Sequence, residues 1–427
     1  MIKILDSKKN NFNSSLDNLL LKRKNKIKFN SNIVINIIKD IKKNGDKALI
    51  KYEKKFGKNS IIFSKPKEIQ KQIKNLDKKV KKSIDLAYKR IFNFHSKQKV
   101  KNIYYKDKLQ NKLDYKYLPI ESVGIYVPGG TASYPSTVLM NAIPAIIAGA
   151  KKVVMVNPRN KGKQNPGVLY AAKKCGIKKI YSIGGAQAIA ALAYGTKKIT
   201  KVNKIVGPGN LYVSIAKKEI FGDVGIDMIA GPSEITVAGD KYSNPDWIAS
   251  DLIAQAEHDE LSQSILISKD KNLIYKVKKS LFEQLKKLPR SKIATKSLKS
   301  NGILINISTN KELVEIINKI APEHLELNIK NYKNIINKII NAGSIFLGKY
   351  SAEAFGDYLV GTNHVLPTSG SAKFLSGLSV YDFYKRISYI NLSKKGIETL
   401  GPSVITLANF EGLEGHAKSV ELRIRRK

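Results

Sequence analysis

The sequence predicts an α/β protein with two tandem Rossmann-like parallel-sheet units, a helical N-terminal arm and a small C-terminal tail domain. From residue 121 onward, short apolar runs alternate with helical patterns, which is typical of right-handed βαβ units. The alternation restarts at residue 233, so we expect a second unit of the same kind. The chain of 427 residues is also too long for one hydrophobic core.

Residues 1–120 are predicted to form the helical arm. Apolar residues recur at helical spacing from Ile33 to Ile41 and from Val80 to Ile91, in a background rich in Lys and Asn. We interpret this region as a solvated scaffold without catalytic residues, and His95 within it as incidental.

The first α/β unit is predicted to span residues 121–232. Its four apolar runs each end in a turn that contains Gly or Pro, where backbone N–H groups can approach a ligand beyond the sheet. One such turn is more often structural, but four together favour a site. The predicted strands are Ile125–Val127, Val153–Val156, Ile180–Ile183 and Ile205–Val206, and the helices between them include Ala186–Tyr194 and Leu211–Ile220.

The second unit is predicted to span residues 233–375. Asn244 and Pro245 indicate the N-cap and first residue of a helix that runs to about Glu257. The weaker periodicity of residues 376–427 predicts the separate tail. The other predicted strands are Ile235–Ala238, Ile265–Ile267, Ile303–Ile307 and Ser344–Leu347, and the other helices are Lys271–Leu285, Lys311–Ile320 and Tyr332–Ile340.

The net charge of +42 is extreme and has two interpretations. One is binding to nucleic acid or an anionic membrane, and the other is a compositional bias toward Lys on the surface. We favour the bias, because the Lys residues are spread along the chain rather than packed in one arm. The single cysteine, Cys175, excludes an intrachain disulfide, and we see no signal peptide or membrane span, so we expect a cytoplasmic protein.

Polar side chains with metal-binding or acid–base chemistry occur in several segments that are poor in Lys. Gln255 and His258 are three residues apart near a helix end, which suits a shared metal, although such a pair also fits an exposed helix face. Glu323 and His324 follow Pro322, where they form either an acid–base pair in a cleft or an exposed turn.

Two further segments hold candidate ligands or substrate contacts. Asp357 and His364 lie in a Gly-punctuated stretch after the last predicted strand. His416 lies near the C-terminus and matters only if the tail folds back or reaches a neighbouring subunit. The dinucleotide fingerprint G-x-G-x-x-G is absent, because Gly207-Pro208-Gly209 has only its first two glycines, so the motif alone supports NAD binding weakly.

Seven motifs follow one another along the chain. They are Ile125-Tyr126-Val127-Pro128-Gly129-Gly130, Gly184-Gly185-Ala186-Gln187-Ala188-Ile189-Ala190, Gly207-Pro208-Gly209-Asn210, Gly231-Pro232-Ser233-Glu234, Gln255-Ala256-Glu257-His258, Ala321-Pro322-Glu323-His324-Leu325-Glu326 and Gly361-Thr362-Asn363-His364-Val365-Leu366-Pro367-Thr368. In this order they resemble the histidinol dehydrogenase family, and the resemblance covers about residues 20 to 420. The set is far more specific than any single member, and no position that can be matched is substituted.

The resemblance implies a role for each matched residue. The implied acid–base pair is Glu323 and His324, and the implied ligands of one Zn²⁺ per subunit are Gln255, His258, Asp357 and His416. The implied substrate contacts are Ser233, Gln255, His258, His324, Asp357, His364, Glu411 and His416, and the implied NAD contacts are Tyr126, Gln187 and Asn210.

The resemblance also implies the reaction and the assembly. We expect oxidation of L-histidinol through L-histidinal to L-histidine with two NAD, as the last step of histidine biosynthesis. We also expect a homodimer whose C-terminal tails complete each other's sites, and no specific nucleic-acid or membrane partner. The alternatives are a related zinc and NAD dehydrogenase of another small polar alcohol, a basic nucleic-acid-binding protein, and an inactive remnant.

Overall fold

The protein is described by a computed structural model that covers residues 2–25, 31–129, 134–160 and 162–424; Gly130 lies outside these ranges. The strands are β1 Lys3–Asp6, β2 Ile103–Lys106, β3 Lys112–Pro119, β4 Ser122–Tyr126, β5 Lys152–Val156, β6 Lys179–Tyr181, β7 Lys204–Val206, β8 Gly225–Ile226, β9 Glu234–Gly239, β10 Gln263–Ser268, β11 Ile303–Asn306, β12 His324–Asn328, β13 Ser344–Leu347 and β14 Tyr384–Asn391. The α-helices are α1 Phe12–Asn25, α2 Asn32–Tyr52, α3 Pro66–Lys74, α4 Lys78–His95, α5 Pro135–Ala148, α6 Pro166–Lys174, α7 Gly185–Tyr194, α8 Leu211–Ile220, α9 Pro245–Ala256, α10 Lys271–Leu285, α11 Ser291–Asn301, α12 Asn310–Ile320, α13 Glu353–Tyr358, α14 Lys394–Phe410 and α15 Glu414–Ile424.

The first parallel sheet has the strand order β6-β5-β4-β7-β8. Its apolar runs are buried on both faces, as Ile125 and Met155 face one hydrophobic core while Val156 and Ile205 face another. The four strands predicted for this unit are confirmed, with ends that shift by at most three residues. The order reverses at β4, because β5 lies on one side of it and β7 on the other.

The second parallel sheet has the order β1-β11-β10-β9-β12-β13. Asn244 caps α9 by accepting from the N–H groups of Asp246 and Trp247, and Pro245 is the first helical residue, as predicted. β12 was not predicted, although it pairs with β9 on one side and with the edge strand β13 on the other. Its first residue is His324, so His324 lies at the start of a buried strand rather than in a turn.

Residues 1–120 contribute to all three sheets, whereas the sequence predicts one helical arm. β1 pairs with β11 in the second sheet, and Phe12 and Leu16 of α1 join that sheet's core. Helix α2 packs on the core that holds α7 and α8, while β3 pairs with both β2 and β14 in an antiparallel sheet. The boundaries at residues 120, 232 and 375 stay predictions.

Two local features differ from the sequence prediction. The predicted helix Tyr332–Ile340 is instead two 3₁₀ turns, at Tyr332–Asn334 and Ile336–Lys338. His95, interpreted as incidental, is fully buried, with Nδ1 2.9 Å from the carbonyl oxygen of Ile91. In the described part of the chain, no helix is long and apolar enough to span a membrane.

Candidate active site

A cleft with a volume of about 570 Å³ lies where the two parallel sheets meet. The first sheet contributes the segments after the carboxyl ends of β4 and β7, including Pro128 and Asn210. The second sheet contributes the amino ends of its strands, namely Ser233 before β9 and Glu323-His324 at β12. The rule that ligands bind beyond carboxyl ends therefore holds for the first sheet only.

Helix α9 brings two candidate ligands to the cleft. Because α9 returns from the carboxyl end of β9, its last turn lies beside the amino ends of the strands. Gln255 is in that turn, and His258 follows the helix end at Ala256. Gln255 is only 1% exposed, so the alternative of an exposed helix face is wrong. In the amide orientation that satisfies both neighbours, the side-chain nitrogen of Gln255 donates to Glu353 Oε1 at 3.3 Å. Its side-chain oxygen then accepts from the N–H of Glu234 at 3.2 Å.

Glu323 and His324 are held by one peptide segment of β9. Glu323 Oε2 accepts from the N–H of Glu234 at 2.8 Å, and His324 Nδ1 lies 3.1 Å from the carbonyl oxygen of the same residue. A carbonyl only accepts, so Nδ1 carries the proton and Nε2 is the free acceptor. Nε2 lies 3.7 Å from Glu353 Oε1. Glu323 and His324 are 6% and 4% exposed, which overturns the alternative of an exposed turn.

Burial shifts the pKa of both members of this pair toward the neutral form. It raises the pKa of Glu323 well above the usual range, and the nearby charges of Glu234 and Asp357 raise it further. Burial also lowers the pKa of His324. His324 is therefore a neutral imidazole at pH 7, and Glu323 is a stronger base than an ordinary carboxylate when it is ionised.

Asp357 is the acidic centre of the cleft. Burial alone would raise its pKa, but the hydrogen bond and charge of His364, with the charges that His324 and His258 gain on protonation in acid, hold the pKa at about 2. His364 Nδ1 lies 3.6 Å from Asp357 Oδ1. His324, Glu353 and Asp357 each offer a ligand atom within 4.8 Å of the others, and this cluster shares Asp357 with the zinc ligands that the resemblance implies. Imidazole nitrogen and carboxylate oxygen are ordinary zinc ligands.

Comparisons with known proteins identify the family. The histidinol dehydrogenase family model matches residues 21–424. The chain is 70% identical over 428 residues to a histidinol dehydrogenase of Pelagibacter ubique (strain HTCC1062), with 100% of both sequences covered. It is 48% identical to histidinol dehydrogenase 1 of Trichormus variabilis, with 92% of both covered. A solved histidinol dehydrogenase from Elizabethkingia anophelis matches with a TM-score of 0.92 and 38% identity, over 99% of this chain and 98% of that one.

The chain belongs to the histidinol dehydrogenase family. Membership of the histidinol dehydrogenase family confirms the resemblance, the α/β fold class and the prediction of a dehydrogenase. The cleft brings together eight of the residues that the resemblance selects. These are Asn210, Ser233, Gln255, His258, Glu323, His324, Asp357 and His364.

Four other residues implied by the histidinol dehydrogenase resemblance lie outside the cleft lining. Tyr126 is buried and its hydroxyl accepts from the N–H of Gly185 at 3.0 Å. Gln187 is buried and donates to Glu53 Oε1 at 2.8 Å. Glu411 and His416 lie on exposed surface of the tail. The cofactor and metal roles of these residues stay predictions.

Sequence reasoning missed two carboxylates of this histidinol dehydrogenase site. Glu353 approaches Gln255 and His324, and burial raises its pKa well above the usual range. Glu234 supplies the peptide groups that hold Glu323 and His324. Glu234 is the last residue of the motif Gly231-Pro232-Ser233-Glu234, and Glu353 lies four residues before Asp357. The missing signal was burial, because a single sequence does not show which carboxylates lack solvent.

Proposed function

We propose that the protein catalyses the zinc-dependent oxidation of L-histidinol through L-histidinal to L-histidine with two NAD, the last step of histidine biosynthesis. The observation that carries this proposal is the buried pair Glu323 and His324 beside the acidic centre at Asp357. An acid–base pair next to a cation site is what successive oxidation of an alcohol and an aldehyde requires.

The metal would be held by Gln255, His258 and Asp357 of one subunit and His416 of the other. The first three line the cleft. Burial lowers the pKa of His258, which favours the neutral imidazole that binds metal. When bound, zinc would fix the nitrogen atoms of the substrate and NAD would accept each hydride.

The substrate would contact Ser233, Asp357 and His364, which all line the cleft. His324 Nε2 accepts the proton of the substrate hydroxyl, since Nδ1 is engaged by the carbonyl of Glu234. Glu323 deprotonates the water that hydrates the aldehyde, and its raised pKa suits it to that task. Neither step needs a covalent nucleophile. Cys175 is buried, and burial raises the pKa of its thiol to about 12.

The cofactor would bind at the carboxyl edge of the first sheet. Asn210 lines the cleft and caps α8 by accepting from the N–H of Val213 at 3.2 Å. Tyr126 accepts from the N–H of Gly185 at the turn Gly184-Gly185, and Gln187 donates to Glu53, which also accepts from the N–H of Gly184. We propose that they act on NAD at this turn.

The tail would complete the site of a second subunit. Glu411 and His416 are exposed, and the neighbouring Phe410 is 90% exposed. A large aromatic side chain with such exposure on a helix end favours burial against another chain. Leu407, Ile390 and Leu413 are further exposed apolar residues of the tail. A homodimer that exchanges tails would cover them and place His416 at the partner's cleft.

The decisive experiment measures NADH formed per L-histidinol consumed by the purified protein. Two NADH per substrate, abolished by a chelator and restored by zinc, would support the proposal. One NADH per substrate would indicate a simpler alcohol dehydrogenase. No NADH from folded, zinc-loaded protein would overturn the proposal and favour a related alcohol as substrate.

A further inference from the structure

Helix α1 carries a buried cation, Arg23, that contacts two of the segments next to Glu323 and His324. Arg23 is 7% exposed, and its Nη1 lies 2.9 Å from Glu234 Oε2. Its Nη2 donates to the carbonyl oxygen of Ile320 at 2.6 Å. These two contacts join three segments that are far apart in the sequence.

Glu234 connects Arg23 to both Glu323 and His324. Its side chain is fixed from two sides, by Arg23 at Oε2 and by the N–H of Ser369 at Oε1, which is 3.0 Å away. Its own N–H and carbonyl group hold Glu323 and His324. A shift of the Glu234 side chain would therefore move the peptide that orients both groups.

Ile320 connects Arg23 to the same pair from the other side. It is the last residue of α12, and the next residue, Ala321, adopts a left-handed conformation with φ of 48°. The carbonyl groups at a helix C-terminus lack partners within the helix, and a cation stabilises them. Arg23 thus holds the chain three residues before Glu323.

We propose that Arg23 is a positioning residue for the acid–base pair, so that the N-terminal helix is required for catalysis and is not a scaffold alone. The proposal rests on the proposed roles of Glu323 and His324. Misplacement of reacting groups by about 1 Å can lower a rate by about 100-fold. Loss of the Arg23 contacts would therefore lower kcat, while the ligands His258, after α9, and Asp357, on α13, keep their places.

The variants are chosen to keep the fold intact. Arg23→Met keeps an unbranched apolar stem but leaves Glu234 as an unpaired buried carboxylate, which can prevent folding. The double variant Arg23→Met/Glu234→Gln removes both charges and keeps an oxygen for the N–H of Ser369. Arg23→Lys keeps the charge without the forked geometry. Lys22→Met is the matched control, because Lys22 is an exposed cation on the same helix.

The first measurement is steady-state kinetics with L-histidinol, together with the zinc content of each variant. We expect the double variant to lose about 10- to 100-fold in kcat, with KM changed by less than about threefold and zinc content unchanged. Arg23→Lys recovers part of the loss, and Lys22→Met matches the wild type. A double variant with kcat within about twofold of the wild type would overturn the proposal. A fall in kcat that is fully explained by a fall in zinc content would overturn it as well.

A second measurement separates this proposal from the proposed function. Nitrogen-15 NMR of histidine-labelled protein reports whether His324 holds its proton on Nδ1, with the signal assigned by its loss in His324→Asn. We expect the Nδ1–H signal in the wild type and in Lys22→Met, and its loss or averaging in the double variant. If the wild-type protein fails to oxidise histidinol, the proposed function fails. The Nδ1–H signal does not depend on turnover, so it still tests whether Arg23 positions His324. An unchanged signal in the double variant contradicts the positioning role.

Discussion

Lys217 and Asp227 form a buried ion pair that holds the peptide groups of Gly207 from two sides. Lys217 Nζ donates to the carbonyl oxygen of Gly207 at 3.1 Å, and the N–H of Gly207 donates to Asp227 Oδ2 at 2.8 Å. Gly207 has φ of 112°, and a Cβ there would lie 2.2 Å from the carbonyl oxygen of Tyr126. The pair therefore fixes the turn that leads to Asn210, the proposed NAD contact in the cleft.

Replacement of Lys217 by Met is expected to weaken NAD binding. The variant leaves Asp227 buried without its partner, so we expect the free energy of unfolding to fall by about 3–5 kcal/mol. The KM for NAD should rise several-fold as the turn loosens, and the KM for histidinol should change less. Denaturant melts and kinetics with varied NAD test this, with the exposed Lys218→Met as the control. An unchanged KM for NAD in folded variant protein would show that the pair serves stability alone.

Glu323 and His324 are expected to differ in the step that each serves. Glu323→Gln should slow aldehyde oxidation by about 10²- to 10⁴-fold and alcohol oxidation less, because only the aldehyde step needs activated water. His324→Asn should slow both steps, since each requires a proton acceptor. Separate assays that start from histidinol and from histidinal distinguish these outcomes. Equal losses in both assays for Glu323→Gln would rule out this division of roles.

The apolar strands were predictable because a parallel strand buried on both faces is a short continuous apolar run. β12 was missed because it alternates polar and apolar residues, and its polar residues His324 and Glu326 are nevertheless buried. The predicted helix Tyr332–Ile340 is broken into 3₁₀ turns in a segment that contains Asn334 and Asn337. Asn side chains compete for backbone hydrogen bonds and disfavour a regular helix.

The cleft residues were predictable from ordered motifs, but their buried supports were not. Arg23 and Glu234 meet across 211 positions of sequence, and Lys and Arg number 76 in this chain. No local pattern shows which of these cations is buried, because burial depends on how distant segments pack. His95 was misjudged for the same reason. Its Nε2 lies 3.4 Å from the amide nitrogen of Asn363, the residue before His364.

Mixing two inactive variants is expected to restore activity if the tails are exchanged. In a dimer of His258→Ala and His416→Ala chains, one site carries both changes and the other carries neither. Random exchange makes about half of the dimers mixed, so about a quarter of wild-type activity should return. Size-exclusion chromatography checks that the dimers re-form.

The control for this mixture uses two variants of the same tail. A dimer of His416→Ala and Glu411→Ala chains leaves one altered tail at each site, so mixing should restore nothing. Recovery in this control would mean that the activity came from another source. A failure of both mixtures, with dimers present, would place His416 in the cleft of its own chain or outside any site.

Asp251 on α9 and Glu326 on β12 are expected to make stability depend on pH. Burial raises the pKa of Asp251 to about 6, and burial together with the charge of Asp251 raises the pKa of Glu326 well above its usual range. A carboxyl group whose pKa is raised by folding stabilises the folded protein at pH values below the pKa that the group has in the unfolded chain. This stabilisation is then lost as pH rises through about 6.

Asp251→Asn removes this titration, so its stability relative to the wild type should increase from pH 4 to pH 8 by up to about 3 kcal/mol. Urea midpoints at pH 4, 6 and 8 measure the change, with the exposed Glu219→Gln on α8 as the control. A difference between Asp251→Asn and wild type that is constant across this range would contradict the assignment of the titration to this pair.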